Sequence, residues 1–311
     1  MPEVSFIIPT HNRAALLAET VDSAQRAGRD VEVIIVDDGS TDNTAEVCAK
    51  LPGIRYLRFD RNRGQAAARN AGILESSAEF IAFLDDDDLR LPGTIDLQVQ
   101  VLKAAPEAAL VYGRVLGGDS RRRLPTGQIL PAHCPQGDVF WELLAANFIL
   151  INSVVARRRN LVESGLFRSD LNGAEDWELW LRLSARAPFN AVEEVVALYR
   201  FGNPSSGQVT SDRVDSFRAA LRTQEVALQS DRARAASAGR RRKIRRRFCD
   251  LTYDVLVYEA AGALAEGDKR RARAHLRFAL SLYPFRAPAF WWMLRCLFVR
   301  PDGGVPKAAT H

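Results

Sequence analysis

Four consecutive aspartates, Asp85, Asp86, Asp87 and Asp88, follow the apolar stretch FIAFL that begins at Phe80. Like charges packed this closely repel, and burial raises the pKa of each carboxyl. A divalent cation reverses that balance. Mg²⁺ or Mn²⁺ takes hard oxygen ligands, commonly one or two carboxylates completed by substrate phosphates. Taken alone, the run reads equally as a solvated acidic turn or as a cation site. Its position favours the second reading, because ligands of open α/β sheets bind beyond the carboxyl ends of the strands.

Two further acid pairs stand out. Asp37-Asp38 ends the apolar run VEVIIV, and Glu175-Asp176 opens EDWELWLRLSARA. The second pair lies at an expected helix start, where the dipole favours negative charge. From local sequence it is either a structural acid pair or a source of a general base. Trp177, Trp180, Leu181 and Ser184 recur at helical spacing and are expected to bury one face.

The elements that must position these acids alternate strand and helix. Val4 to Ile8 reads as a buried strand ended by Pro9, followed by a helix with Asn12 as its N-cap and Gly28 as its stop. Val31 to Val36 is a second strand, and Asn43 with Glu46 looks like a capping pair. Ile54 to Phe59 is a third strand, Gly64 to Leu74 a helix, and Phe80 to Leu84 a fourth strand. This order predicts an α/β fold with a mostly parallel sheet and right-handed crossovers. No GxGxxG follows the first strand, so a dinucleotide fingerprint is absent. Further on, a helix is expected over Leu97 to Ala104, a strand over Ala109 to Leu116, and an exposed hairpin loop over GGDSRRRLPTGQ. Then follow a helix over Phe140 to Ala146, an extended segment over Ile149 to Ala156, and a strand over Val192 to Arg200. GNPSSGQVTSD reads as a linker.

The 311 residues suit one large domain and a smaller one. The net charge of +5 is unevenly placed: residues 1–210 carry −6 and residues 211–311 carry +11. Such a split points to two regions with different partners. No secretory leader is evident after Met1, and no apolar run is long enough to span a bilayer. Cys48, Cys134, Cys249 and Cys296 form no CxxC, so a reduced cytoplasmic protein without structural zinc is expected.

SFIIPTHNR, VIIVDDGSTDNT, NRGQAAARNAG, FLDDDDLRLP and AEDWELWLRL occur in an order and at spacings that resemble the inverting family 2 glycosyltransferases of the GT-A fold. The resemblance covers about residues 1–205, a GT-A domain, and leaves 206–311 as a basic C-terminal helical region. It implies a transferase that moves a sugar from a nucleotide-sugar donor to a hydroxyl of a glycan or lipid-linked glycan, in polysaccharide biosynthesis of the cell envelope. It also implies roles. Pro9, Thr10, His11, Asn12 and Arg13 would cradle base and ribose. Asp38, with Asp37 beside it, would hold the base, and Gly64, Arg69 and Asn70 would flank the nucleotide. Asp87, with Asp85, would bind Mg²⁺ or Mn²⁺, and Asp85 and Asp86 would lie toward the ribose. Asp176, with Glu175 beside it, would be the catalytic base. The family often shows Tyr-Arg-x-His after this helix. Here Tyr199-Arg200-Phe201 is followed by Gly202, and Arg200 is the expected source of the missing charge.

Two other readings compete. A sugar-phosphate nucleotidyltransferase usually carries a Gly-rich basic loop after its first strand, and PTHNR has no glycine. A glycan-binding scaffold with a relic site need not keep both Asp87 and Asp176.

The tail turns helical and basic. Phe217, Leu221, Val226 and Leu228 mark one helix, and Phe248, Leu251, Val255 and Tyr258 a second. His275 to Leu280 and Ala287 to Val299 mark a third and a fourth. RRRKIRRR at Arg240 to Arg247 and the aromatic run around Trp291-Trp292 predict attachment to an anionic membrane surface at its cytoplasmic face. Few aromatics interleave the basic run, so nucleic acid is not the expected partner.

Overall fold

The computed structural model describes residues 2–119, 124–171, 173–201 and 213–298. The chain divides into two compact units, residues 1–211 and 212–311.

The first unit is built on one mixed nine-stranded sheet. β1 (Val4–Thr10), β2 (Val31–Asp37), β3 (Ile54–Arg58) and β4 (Phe80–Phe83) run parallel in the order β3-β2-β1-β4. β1 and β4 are buried throughout, because helices α1 (Ala14–Arg26), α2 (Thr44–Cys48) and α3 (Gln65–Glu75) connect these strands and cover the sheet. The register puts Thr10 opposite Asp37, and Asp37 opposite Arg58. Ile7 pairs with Phe83, so the acidic run begins two residues beyond the last β1–β4 pair. The two acid-bearing strand ends, those of β2 and β4, therefore flank β1 at the same edge.

After the acids come β5 (Leu89–Arg90) and α4 (Thr94–Ala104), then β6 (Leu110–Asp119), β7 (Leu124–Leu130), α5 (Phe140–Ala145), β8 (Val155–Arg157), α6 (Arg158–Glu163), α7 (Glu175–Ser184) and β9 (Phe189–Phe201). β8 runs antiparallel to β4 and β6, and β9 lies parallel to β6. Pro9 does not end β1: it aligns with Val36, and the strand runs on to Thr10. Ile149 to Ala156 is not simply extended, because Ile151–Ser153 closes a 3₁₀ turn before β8. GGDSRRRLPTGQ is shorter as a loop than expected, since β6 and β7 pair from Val115↔Leu130 to Asp119↔Leu124. Arg121, Arg122 and Arg123 lie outside the described residues, as do Gly202 and the linker through Asp212.

Two glycines set close approaches. A Cβ at Gly72 would come within 2.5 Å of Ile7, so α3 lies directly on β1. Gly39 has φ +73° and turns the Asp37-Asp38 loop against the Arg61 backbone. The stripe expected on α7 is buried: Trp180 packs with Phe83 and Phe167, and Phe83 meets Phe167 edge-on at 5.4 Å.

The second unit is helical: α8 (Arg213–Ala227), α9 (Asp231–Arg234), α10 (Ala238–Ala265), α11 (Lys269–Leu282) and α12 (Ala287–Phe298). Ser230, Ser237 and Asp268 cap α9, α10 and α11 by accepting from a backbone N–H three residues on. Its core uses small residues, Ala260, Ala263, Ala272 and Ala279, with Tyr253, Leu256 and Leu276. On α10 the expected stripe is only partly inward: Phe248 is buried, but Leu251, Val255 and Tyr258 are exposed, while Thr252, Tyr253 and Leu256 are buried.

Candidate active site

Each of the four aspartates has a different destination. Asp85 keeps about a quarter of its side chain exposed and accepts from Arg69 Nη2 at 2.7 Å. Asp86 is buried and accepts from Thr10 Oγ1 at 2.7 Å and from Arg13 Nη1 at 2.6 Å. Asp87 lies 3.3 Å from the same Arg13 group. Asp88 is fully buried, accepting from Asn152 Nδ2 at 2.7 Å and from the Arg200 backbone N–H at 2.9 Å. Burial pushes Asp86 up to about 6 despite Arg13, and it holds Asp88 well above the usual carboxylate range. The backbone beneath is tied to α1, where Thr20 Oγ1 donates to the carbonyls of Asp86 and Asp88.

The loops from β1 and β2 lock together beside this run. His11 Nδ1 donates to the Asp38 carbonyl at 2.9 Å. Asn12 is not the N-cap of α1; that position is Arg13's. Asn12 has φ +55°, and its Oδ1 accepts from the backbone N–H groups of Thr41 and Asp42. The capping expected of Asn43 and Glu46 is also absent, since Asp42 accepts from the Thr44 N–H instead. Asp38 accepts from the backbone N–H groups of Arg63 and Gly64 at 2.6 and 2.8 Å, which fixes the segment entering α3. Asp37 is wholly buried, bound by the Ser40 N–H and by Tyr56 Oη at 2.5 Å. It holds the turn and does not face the site.

On the far side stands α7. Glu175 is buried; Gln65 and Arg69 donate to its Oε1, the latter at 3.2 Å, and the Gly173 N–H donates to Oε2 at 2.8 Å. Asp176 is only half-buried. Its Oδ1 accepts from the Trp177 N–H at 2.6 Å, and Asn147 Nδ2 approaches Oδ2 at 3.5 Å. Burial first, and the Glu175 charge second, push Asp176 up to about 7. Of the pair, Asp176 is therefore the more exposed carboxylate, and Glu175 is the one held by its neighbours. Asn70 also positions: it exchanges two hydrogen bonds with the Phe167 backbone, at 2.8 and 2.9 Å.

Several participants were not singled out in the sequence. Gln65 and Asn147 touch the acid pair only through the fold. Arg90 is buried, donating to the Asn152 carbonyl at 2.5 Å, to Thr94 and to Gln98. Burial pulls its pKa down to about 9. The Arg200 guanidinium pairs with Glu19 at 3.1 Å, and its backbone N–H donates to Asp88.

Among the described residues no cluster of three or more His, Cys, Asp or Glu could hold a metal alone. Mg²⁺ or Mn²⁺ bound with substrate phosphates needs only one or two carboxylates. Asp85 and Asp87 offer hard oxygens alternating along the acidic turn, each beside an arginine, Arg69 and Arg13 respectively, and a pair of carboxylates is a donor set that fits such an ion.

The glycosyl transferase family 2 model matches residues 5–163. A Campylobacter jejuni protein, GalNAc(5)-diNAcBac-PP-undecaprenol beta-1,3-glucosyltransferase, is 30% identical over 210 residues, covering 64% of this chain and 65% of that protein. An uncharacterized glycosyltransferase of Rickettsia felis is 29% identical over 202 residues, 64% of this chain and 33% of its own length. The chain thus spans about a third of the Rickettsia relatives it matches. S. aureus TarS 1-349 in complex with UDP-GlcNAc superposes with a TM-score of 0.64 at 17% identity, over 90% of this chain and 81% of that one. The mannosyltransferase PcManGT from Pyrobaculum calidifontis, in complex with GDP-Man and Mn2+, gives 0.60 at 16% identity, over 95% and 84%. These likenesses show a common fold.

Proposed function

Given that this chain belongs to glycosyl transferase family 2 and has the GT-A fold, we propose that it carries one sugar from a nucleotide-sugar donor to an acceptor hydroxyl, with inversion at the anomeric carbon. The catalytic part is residues 1–205, and 206–311 is an accessory basic helical region. The observation that carries the reading is Asp176. It is half-buried at the start of α7 with a pKa near 7, and it is joined to the acidic turn through Glu175, Arg69 and Asp85.

An acceptor hydroxyl is a poor nucleophile until a base takes its proton as the new bond forms. A carboxylate near neutrality does this more readily than one at the ordinary value, and Asp176 is raised by its own surroundings. Arg13, Thr10 and the β1 and β2 loops would receive the nucleotide, with His11 and Asp38 shaping the base pocket. A divalent ion held by Asp85 and Asp87 would offset the charge that gathers on the leaving diphosphate. A base at Asp176, with Glu175 beside it tied up by Gln65 and Arg69, supports in-line attack, unlike the two working carboxylates of a retaining hydrolase. The name of the Campylobacter jejuni relative supports a lipid-linked glycan as acceptor.

The test is incubation of the purified chain with a panel of labelled nucleotide sugars and Mn²⁺ or Mg²⁺, with product configuration read by NMR. Slow donor hydrolysis that Asp176→Asn abolishes supports the reading. Pyrophosphate-dependent formation of nucleoside triphosphate would make the chain a nucleotidyltransferase. Inertness to every donor would leave a binding protein.

A further inference from the structure

The large hydrophobic side chains left exposed are concentrated in the second unit. Of eleven among the described residues, eight lie beyond residue 212. On α12 they form a stripe. Ala287, Phe290, Trp291 and Leu294 stand at i, i+3, i+4 and i+7, and all are exposed. The opposite face, Ala289 and Cys296, is buried in the unit's own core. Phe285, just before the helix, is 98% exposed. α12 is therefore apolar on both faces, where a helix on a soluble surface would carry charge on the outer one.

Two arginines flank this stripe. Arg295 stacks on Trp291 and Trp292 at 4.7 and 4.8 Å, and Arg286 stacks on Tyr253 and Tyr283 while pairing with Asp250 and Asp254 at 3.1 and 3.5 Å. The start of α10 exposes Arg240, Arg242, Lys243, Arg245, Arg246 and Arg247. The region carries +11 overall. A polyanion with an apolar interior is the complement to such a surface. Nucleic acid offers the phosphates but no medium for Phe290 and Leu294, and a second copy of this chain would bring the same positive charge against it. At twelve residues, or about 18 Å, α12 is too short to cross a bilayer, and no described helix is long and apolar enough to do so.

We propose that the outer face of α12 lies in the headgroup boundary of an anionic membrane, with the α10 basic run held at its surface. Trp291 would sit at the interface as an amphipathic anchor. This goes beyond the sugar-transfer reading and stands without it.

The experiment is co-sedimentation of the full chain with phosphatidylcholine vesicles, with and without phosphatidylglycerol, at low and high salt. The wild type is expected to pellet with anionic vesicles and to be released by salt. Phe290→Ser with Trp291→Ser and Leu294→Ser should weaken binding by roughly tenfold or more. Arg242→Gln with Lys243→Gln should weaken it comparably and flatten the salt dependence. Trp291→Phe is the mild control. Brominated lipid should quench a component of wild-type emission that is missing from this variant, whether or not the triple variant folds. Unchanged pelleting of a folded triple variant, no Trp291-dependent quenching, or binding to single-stranded oligonucleotide in place of vesicles would each overturn the proposal. So would self-association through the stripe without vesicle binding.

Discussion

Asp85 and Glu175, distant in sequence, are held by a single guanidinium: Arg69 donates to the first at 2.7 Å and to the second at 3.2 Å. Arg69 and Glu175 are buried, so neither charge has water to fall back on. Arg69→Ala would leave Glu175 unpaired, which is expected to cost about 3–5 kcal/mol. Arg69→Lys keeps the charge but loses the planar fork that reaches two acids at once. Urea unfolding of both variants, crossed with Glu175→Gln, checks this. The double variant with Arg69→Ala should lose less than the two single losses added.

As the proposed base, Asp176 should make activity depend on pH in a defined direction. With its pKa pushed up to about 7, the acid limb of kcat/KM is expected near neutrality, with rate lost as pH falls below it. Glu175→Gln removes the negative neighbour and should move that limb to lower pH. Asp176→Asn should reduce kcat by roughly 10²- to 10⁴-fold, with donor affinity kept. Rate profiles and donor titrations separate the two effects.

The same group weakens the fold as pH rises. A carboxyl whose pKa is higher folded than unfolded is favourable only while protonated. Its stabilising contribution is therefore lost between 3.8, the ordinary value, and about 7. Asp176→Asn should melt above the wild type at pH 8, and the advantage should shrink as pH falls through that window. Thermal scans across pH read this directly.

The acidic turn can be taken apart one residue at a time. Asp87→Ala is expected to remove most Mn²⁺- or Mg²⁺-dependent binding of nucleoside diphosphate and leave the fold intact. Asp88→Ala should do the reverse, because Asn152 Nδ2 and the Arg200 N–H lose their acceptor in a buried place. Calorimetric titration with and without EDTA, beside thermal unfolding, distinguishes them. Equal diphosphate affinity of wild type and Asp87→Ala would remove Asp87 from the metal site.

Gly72→Ala is expected to destabilise by about 1–3 kcal/mol, since its Cβ would meet Ile7 at 2.5 Å. Chemical denaturation measures it.

The first four strands, their order and the two acid-bearing ends were legible in the sequence, because apolar runs that stop abruptly at Asp37 and Asp85 carry both signals at once. Which member of each acid pair faces outward was not. Asp37 is turned inward by Tyr56, and Glu175 by Gln65 and Arg69, partners fixed only by tertiary packing. The outward face of α10 was hidden for a similar reason. Leu251, Val255 and Tyr258 have core periodicity, but the neighbouring face, with Tyr253, Leu256 and Ala260, packs more closely against α11 and α12.

The pair of hydrogen bonds between Asn70 and Phe167 spans 97 residues, and the Asp88–Arg200 bond spans 112. Contacts of such long range close late, because the loop-closure entropy must be met before they form. On the ribosome, β1 to β4 emerge well before α7 and β9. The proposed nucleotide half of the site is then complete in sequence while Arg69 still awaits Glu175, and Asp88 awaits Asn152 and Arg200. A nascent chain halted before residue 167 would carry the acidic turn without its far wall, and its ability to capture nucleotide would date the moment at which binding and catalysis become one pocket.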